Sequence, residues 1–308
     1  MKTTQASYEL LINDLRSDFR PQRSWGEGRT IFMIIGHFVV GVASGAWLLG
    51  LLYNSRTCLA LAFFMGAFGG IAHLINLGRP ERFWRMMTQA KTSWVSRGFW
   101  GLSAFLFGGF LYLVGLWFGS PWGTNSVIAE VGYLLAFLGM LTLMGYMGFV
   151  YSASKAIPFW NSALHPVLYV GYSLRGGVAA LLLMQSFGGG SEASFPHLLL
   201  WWIATTSLVA VFYTLEMHAA WTGGEEAAKR SVRDLVSGRL AFAFYGGILV
   251  LGIAVPAALV WWQFYGQQLQ HAMALLAFAS ALGDFFMKYA TICAGYHRPV
   301  WTPRMRQR

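Results

Sequence analysis

The sequence predicts an all-α membrane protein with eight transmembrane helices. The composition is 56% hydrophobic and only 11% charged, whereas a soluble domain carries about 25% charged residues. Eight apolar runs reach the length of about 20 residues that a transmembrane helix needs. The cations between these runs lie almost entirely on one side. Together the three observations predict that most of the 308-residue chain lies in a bilayer.

The apolar runs divide the chain into predicted regions. They cover residues 30–53, 57–77, 97–119, 128–151, 164–186, 197–219, 240–262 and 271–293. The connection at residues 54–56 is so short that the first two helices form a tight hairpin. We predict an N-terminal tail (1–28), a first four-helix bundle (29–155), a second four-helix bundle (156–295) and a basic C-terminal tail (296–308).

The distribution of cations predicts the orientation. Of the 22 Lys and Arg residues, Arg56 lies on one side and Arg175 and Lys288 fall inside predicted spans, which leaves 19 on the side of the termini. Cytoplasmic loops of membrane proteins carry an excess of Lys and Arg. We therefore expect both termini in the cytoplasm of a bacterial inner-membrane protein. Because this location explains the net charge of +10, no nucleic-acid partner is expected.

The connection between the second and third spans is the most distinctive stretch. It combines five cations with three tryptophans, which are Arg79, Arg82, Arg85, Lys91, Arg97, Trp84, Trp94 and Trp100. Arg and Trp side chains suit a membrane–water boundary or a surface on which another protein docks. The simpler interpretation is a positively charged anchor loop and nothing more.

This connection also carries a resemblance to a known family. Residues 73–85 have the pattern His-Leu-x-x-Leu-Gly-Arg-Pro-Glu-Arg-x-Trp-Arg, and residues 92–97 have Thr-Ser-Trp-x-Ser-Arg. Both segments resemble the NrfD-like membrane subunits, which are quinone-interacting anchors of polysulfide, dimethyl-sulfoxide and related molybdopterin oxidoreductases. The resemblance implies a bound quinone, an iron-sulfur partner subunit and a molybdopterin catalytic subunit. It also implies a role for His37, since related anchors place a histidine early in the first helix.

The residues themselves predict a polar pocket near the cytoplasmic boundary. His37 lies roughly 12 Å into the first helix at 1.5 Å per residue, and the hairpin brings it to the level of His73. An imidazole can donate a hydrogen bond to a quinone carbonyl and exchange a proton near neutral pH. The predicted quinone-binding residues are His37, His73, Asn76, Arg79, Trp94, Arg97, Tyr146 and Tyr151. Ordinary helix packing is the alternative for each of them.

A second set of polar residues lies in the second half of the chain. Charges within a bilayer are rare and are generally paired or functional. Asp284 and Lys288 have the i, i+4 spacing that favours an ion pair, and Arg175 and Glu216 also fall within spans. We interpret these four residues as buried ion pairs or as part of a proton path to the quinone pocket. His165, Tyr169 and Tyr172 could extend that path.

Two other classes of function stay open at this stage. His37 and His73 could be the axial pair of a haem b, and the chain could be a transporter, which would show broken helices in matching positions of two repeats. Cys58 and Cys293 are isolated, whereas an iron-sulfur cluster needs clustered cysteines. We therefore expect no metal bound by the chain itself. The quinone type, the direction of electron flow and the substrate of the partner stay open.

Overall fold

The chain folds into a bundle of helices that cross the membrane. The computed structural model describes residues 19–118, 123–265 and 270–299, together with Gln5, Tyr8, Glu9, Ile12 and Asp14. Within these residues eight helices are long and apolar enough to span a bilayer. They are α1 (Ile31–Leu52), α2 (Arg56–Asn76), α3 (Trp94–Phe118), α4 (Val127–Ser152), α5 (His165–Ser186), α6 (Phe195–Thr222), α8 (Ala243–Tyr265) and α9 (Gln270–Cys293).

Two short helices lie in the connections. A 3₁₀ helix (Pro80–Met87) follows α2, and α7 (Glu226–Val236) follows α6. No strand occurs in the described part of the chain, where Pro21 and Tyr296 form an isolated antiparallel bridge. The predicted all-α fold with eight spans is therefore confirmed. Part of the predicted tail 1–28 and most of the predicted tail 296–308 lie outside the described residues.

The segments that flank the bundle are joined at one end of it. The Gln22 amide donates to the Gly295 carbonyl at 2.7 Å, and the His297 amide donates to the Arg20 carbonyl at 2.9 Å. The Arg298 amide donates to the Ala156 carbonyl at 2.9 Å. We call this end the basic end, formed by residues 19–30, 77–93, 153–164, 223–242 and 294–299. Its assignment to the cytoplasm stays a prediction.

Helices α1 and α5 form the centre of the bundle, where most of their residues are buried. They cross at Gly45 and Gly177. A Cβ atom on Gly45 would overlap the Ser173 carbonyl oxygen, and one on Gly177 would overlap the carbonyl group of Gly45. Only glycine permits so close a backbone contact. This crossing joins the two predicted four-helix bundles, whose division stays a prediction.

Helix α8 is irregular over its first half. Residues Ala243–Ala254 are π-helical, and α-helix resumes at Val255. Pro256 has no N–H, so it cannot donate to the carbonyl of Gly252 four residues earlier. That carbonyl accepts a hydrogen bond from the Arg175 guanidinium of α5 instead. The irregular helix therefore supplies an acceptor for a cation buried within the bundle.

Candidate functional site

Two histidines meet at the basic end of the α1–α2 hairpin. The His37 and His73 ring centroids are 4.8 Å apart. Gly36 makes this arrangement possible, because a Cβ atom there would lie 2.9 Å from His73 Cε1. The sequence thus brings two imidazoles together by placing a glycine directly before one of them.

A cavity of about 260 Å³ lies beside the two imidazoles. Helices α1 to α4, the 3₁₀ helix and the segment before α1 all contribute to its wall. The lining residues are Trp25, Met33, His37, His73, Asn76, Leu77, Met86, Val95, Gly98, Phe99, Leu102, Tyr146, Met147 and Val150. The wall is therefore mostly apolar and carries a few polar groups at one place, as small-molecule sites generally do.

Two buried polar atoms beside the cavity have no hydrogen-bond partner in the described part of the chain. They are His73 Nε2 and Asn76 Oδ1. Buried polar atoms are nearly always hydrogen-bonded to protein, water or ligand. His37 Nδ1 is 3.3 Å from the hydroxyl of Tyr151, which holds the imidazole from behind. The cavity can therefore offer an imidazole nitrogen and an amide oxygen to a bound molecule.

The structure brings five of the eight predicted quinone-binding residues together, and their role stays a prediction. His37, His73, Asn76 and Tyr146 line the cavity, and Tyr151 lies behind His37. The other three predicted residues lie elsewhere: Arg79 is exposed before the 3₁₀ helix, and Trp94 and Arg97 line a separate groove between α3 and α4.

The reason is helix geometry. Successive residues of an α-helix are about 100° apart, so Trp94 and Arg97 lie on a different face of α3 from the cavity residue Val95. Arg97 Cζ lies 4.2 Å from the centroid of the Trp94 ring, and Trp94 stacks on Phe149 at 4.2 Å. These three side chains form a stack at the boundary, outside the cavity.

Trp25 is the cavity residue that sequence reasoning missed most clearly. Its ring stacks on Trp160 at 5.2 Å and meets Tyr151 edge to face at 5.8 Å. It precedes α1 in a segment that the bridge between Pro21 and Tyr296 holds in place. No local pattern indicates that contact. Phe99 and Leu102 were also missed, although their spacing from Val95 marks one face of α3.

The charged residues of the second half form a buried cluster of their own. Arg175 pairs with Asp284, and its Nε donates to Thr206 Oγ1 at 2.9 Å. The expected ion pair between Asp284 and Lys288 is not formed among the described residues, so that prediction is wrong. Lys288 lies one turn nearer the basic end, where its Nζ is 3.5 Å from the His37 carbonyl oxygen. Asp284 therefore pairs with the Arg175 guanidinium of α5, and not with Lys288 as the i, i+4 spacing predicted.

Buried polar side chains continue from the cavity toward Glu216. Tyr151 stacks on Tyr169 at 5.6 Å, and Tyr169 stacks on His165 at 5.9 Å. His165 Nδ1 contacts Glu216 Oε1, and both side chains are almost fully buried. Lys288 Nζ is 5.3 Å from the centroid of the Tyr169 ring. Within the described residues, no three His, Cys, Asp or Glu side chains are arranged to hold a metal ion.

Comparison with known proteins identifies the family. The pattern of the family described as "Polysulphide reductase, NrfD" matches residues 20–300. "Protein NrfD" of Escherichia coli is 24% identical over 302 residues, covering 84% of this chain and 92% of that protein. A subunit of the selenate reductase of Mesobacillus selenatarsenatis is 23% identical, covering 57% of this chain and 51% of that protein.

A polysulfide reductase protein of Wolinella succinogenes is 25% identical over 206 residues, covering 60% of this chain and 64% of that protein. The family match covers nearly the whole chain, including all eight spanning helices. This chain therefore belongs to the polysulphide reductase NrfD family and is a multi-pass membrane protein.

Proposed function

We propose that this chain is a quinone-binding membrane anchor that exchanges electrons between the quinone pool and an iron-sulfur subunit of a molybdopterin oxidoreductase complex. The observation that carries the proposal is the cavity at the basic end, where His37 and His73 meet in a mostly apolar wall. Two of the relatives are named as single components of a selenate reductase and a polysulfide reductase, which supports assembly with other subunits.

The polar groups of the cavity match the chemistry of a quinone headgroup. Its two carbonyls accept hydrogen bonds, and reduction to the quinol takes up two electrons and two protons. An imidazole can donate to such a carbonyl and transfer a proton at near-neutral pH. The unpartnered His73 Nε2 can donate to a quinone carbonyl, and the unpartnered Asn76 Oδ1 can accept from a quinol hydroxyl. The aromatic and Met side chains hold the ring.

The basic end is the proposed docking face for the iron-sulfur subunit. The 3₁₀ helix is exposed there and presents Phe83 and Trp84 between Arg82 and Arg85, with Arg79 directly before the helix. A partner seated on this face would lie next to the cavity, because Met86 of the same helix lines it. The negatively charged lipid surface is the competing partner for these cations. By the positive-inside rule, this face is on the cytoplasmic side of a bacterial inner membrane.

The buried polar side chains behind the cavity form the proposed proton route. From the cavity the route runs through Tyr151, Tyr169, His165 and Glu216. Lys288 lies beside Tyr169 and one helical turn from Asp284, the partner of Arg175. Neutralising Asp284 by Asp284→Asn should leave quinone binding intact and slow proton-coupled turnover. Unchanged turnover of that variant, measured with quinol, would remove Asp284 from the route.

Geometry favours a quinone over the two other classes of function. A metal ion between two imidazoles needs bonds of about 2.0 Å on each side, which holds the ring centroids about 6 Å apart, and the observed separation is 4.8 Å. A transporter should show broken helices in matching positions. In the part of the chain that the structure describes, the π-helical stretch occurs in α8 alone.

The first test is gentle purification of the membrane complex, followed by analysis of what accompanies the chain. We expect molybdenum or tungsten, iron with acid-labile sulfide, and one quinone per complex. A complex with stoichiometric haem and no quinone would favour the cytochrome interpretation. Purification with intact soluble partners that hold none of these groups would contradict the proposal.

A further inference from the structure

A groove between α3 and α4 faces the lipid beside the cavity. Its volume is about 610 Å³, and it runs from Trp94 and Phe149 at the basic end toward Ala104 and Leu138 deeper in the bilayer. Gly101, Gly139 and Gly145 line it, so its floor has few side chains. The groove therefore offers a long apolar slot within the leaflet at the basic end.

The groove and the cavity lie on two faces of the same helix. Val95, Gly98, Phe99 and Leu102 of α3 line the cavity, and Trp94, Arg97, Gly101 and Ala104 of α3 line the groove. These two sets each follow helical spacing.

Tyr146 of α4 is the residue that the linings of the cavity and the groove share. Its ring crosses α3 at Gly98, where a Cβ atom would overlap Tyr146 Cδ2. The Tyr146 ring takes the place that a side chain at Gly98 would occupy, so this one ring separates the cavity from the groove.

The sizes of the two spaces differ in an informative way. The cavity holds about 260 Å³, which is below the roughly 300–1,000 Å³ of sites that enclose a whole drug-sized ligand. It can take a ring headgroup but not a long isoprenoid chain as well. At the boundary the stack of Arg97, Trp94 and Phe149 closes the end of the groove. A chain in the groove is therefore directed toward the bilayer interior.

We propose that the groove binds the isoprenoid tail of the quinone whose headgroup occupies the cavity, and that the tail passes between the two spaces at Tyr146, whose ring turns aside from Gly98 to admit it. This inference rests on the proposed quinone function and adds the part of the ligand that the cavity cannot hold. Tyr146 then has two roles, as a wall of the headgroup site and as the side chain that separates it from lipid. A phospholipid acyl chain is the competing occupant of the same apolar surface.

The test is Gly145→Leu, which places a side chain in the groove without touching the cavity. A Cβ atom at Gly145 would make only an ordinary contact, 3.6 Å from Phe149 Cε2. The matched control is Gly246→Leu in α8. A Cβ atom at Gly246 would lie 3.5 Å from Phe242 Cε2, and Gly246 lines neither the cavity nor the groove. Ala104→Phe fills the groove from α3 and serves as a second variant.

Turnover of the whole complex is compared for a quinol with a long isoprenoid tail and for a tail-less one with the same ring. The pairs are menaquinol against dimethylnaphthoquinol, or ubiquinol against its own dimethoxy-methyl ring with a methyl group in place of the tail. We expect both groove variants to raise KM for the tailed quinol about tenfold, a change of about 1.4 kcal/mol, and to leave the tail-less quinol unchanged. Gly246→Leu should change neither.

Equal effects on the two quinols, or no effect in folded groove variants, would overturn the tail site while leaving the headgroup site standing. Retention of a phospholipid by the purified wild type, with loss of that lipid but normal KM in Gly145→Leu, would assign the groove to lipid. A wild-type complex that reacts with neither quinol would instead refute the quinone function itself.

Discussion

The cavity of the first four spans and the Arg175 cluster of the last four use buried polar groups in different ways. At the cavity, His73 and Asn76 carry buried polar atoms with no partner among the described residues, and open space lies next to them. In the cluster, Arg175 donates to a carboxylate, a hydroxyl and a backbone carbonyl within closely packed helices. Polar groups that face open space are available to a ligand, whereas a guanidinium whose three nitrogens all donate to neighbouring helices holds those helices together.

The comparison predicts that the two regions respond differently to mutation. Changes in the cluster should lower stability and expression before they change the affinity for quinol. Changes at the cavity should alter turnover in a protein that remains folded.

Arg175→Ala should produce the largest effect, because it leaves Asp284 as an unpaired carboxylate within the bundle. Breaking one partner of a buried pair destabilises a protein by about 3–5 kcal/mol. Detergent-solubilised complex should therefore lose its membrane subunit at a lower temperature, as measured by thermal unfolding with fluorescence detection. The double variant Arg175→Met with Asp284→Leu should recover most of the loss, because no charge is then left alone. A single variant as stable as the wild type would contradict the structural role of the pair.

His37→Ala should produce the next largest effect, on turnover. Removing a group that transfers protons in the reaction slows it by about 10²-fold or more, which corresponds to about 2.7 kcal/mol. Quinol oxidation by the complex is the measurement, with subunit composition and unfolding temperature as checks on assembly. His218→Ala is the matched control, because His218 is an exposed histidine on α6. Wild-type turnover in His37→Ala would remove the cavity from the reaction.

Tyr151→Phe should have an intermediate effect through His37. It removes the hydroxyl 3.3 Å from His37 Nδ1 and keeps the ring contacts with Trp25 and Tyr169. Loss of one such hydrogen bond typically changes a free energy by about 0.5–1.5 kcal/mol, so kcat should fall up to about tenfold. We also expect the pH profile of turnover to move, which loss of packing alone would not cause. Tyr133→Phe is a control on the same helix, since Tyr133 is exposed. An unshifted pH profile with normal kcat would show that Tyr151 only packs.

The smallest effect should come from His297, outside the spans. Burial, with the nearby Arg20 cation as the second cause, lowers the pKa of His297 below its usual 6.5. The unfolded segment then binds more protons than the folded one as pH falls below about 6.5. Pairing of the terminal segments is therefore strongest above that pH and weakens as pH falls.

Hydrogen exchange at the His297 and Gln22 amides, corrected for intrinsic rates, should show modestly faster opening at pH 5 than at pH 8. His297→Gln should remove the pH dependence. Equal protection of the wild type at both pH values would show that the imidazole does not influence this contact.

The sequence determined the architecture because hydrophobic length is a local property. About 20 apolar residues are needed to span a bilayer, and all eight runs became helices close to their predicted bounds. The proximity of His37 and His73 also follows from sequence, since the connection at residues 54–56 leaves only an antiparallel hairpin. The family could likewise be identified from the pattern within residues 73–97.

Only the tertiary structure decided which side chains meet across helices. Arg175 rather than Lys288 pairs with Asp284, because α5 packs against α9 and the Gly252 carbonyl of α8 also accepts from the guanidinium. Trp25 reaches the cavity because a segment near one terminus pairs with a segment near the other. Trp94 and Arg97 lie outside the cavity because α3 is oriented about its own axis so that a different face of the helix lines it. Such contacts depend on how helices rotate and cross, and spacing along one helix does not encode that.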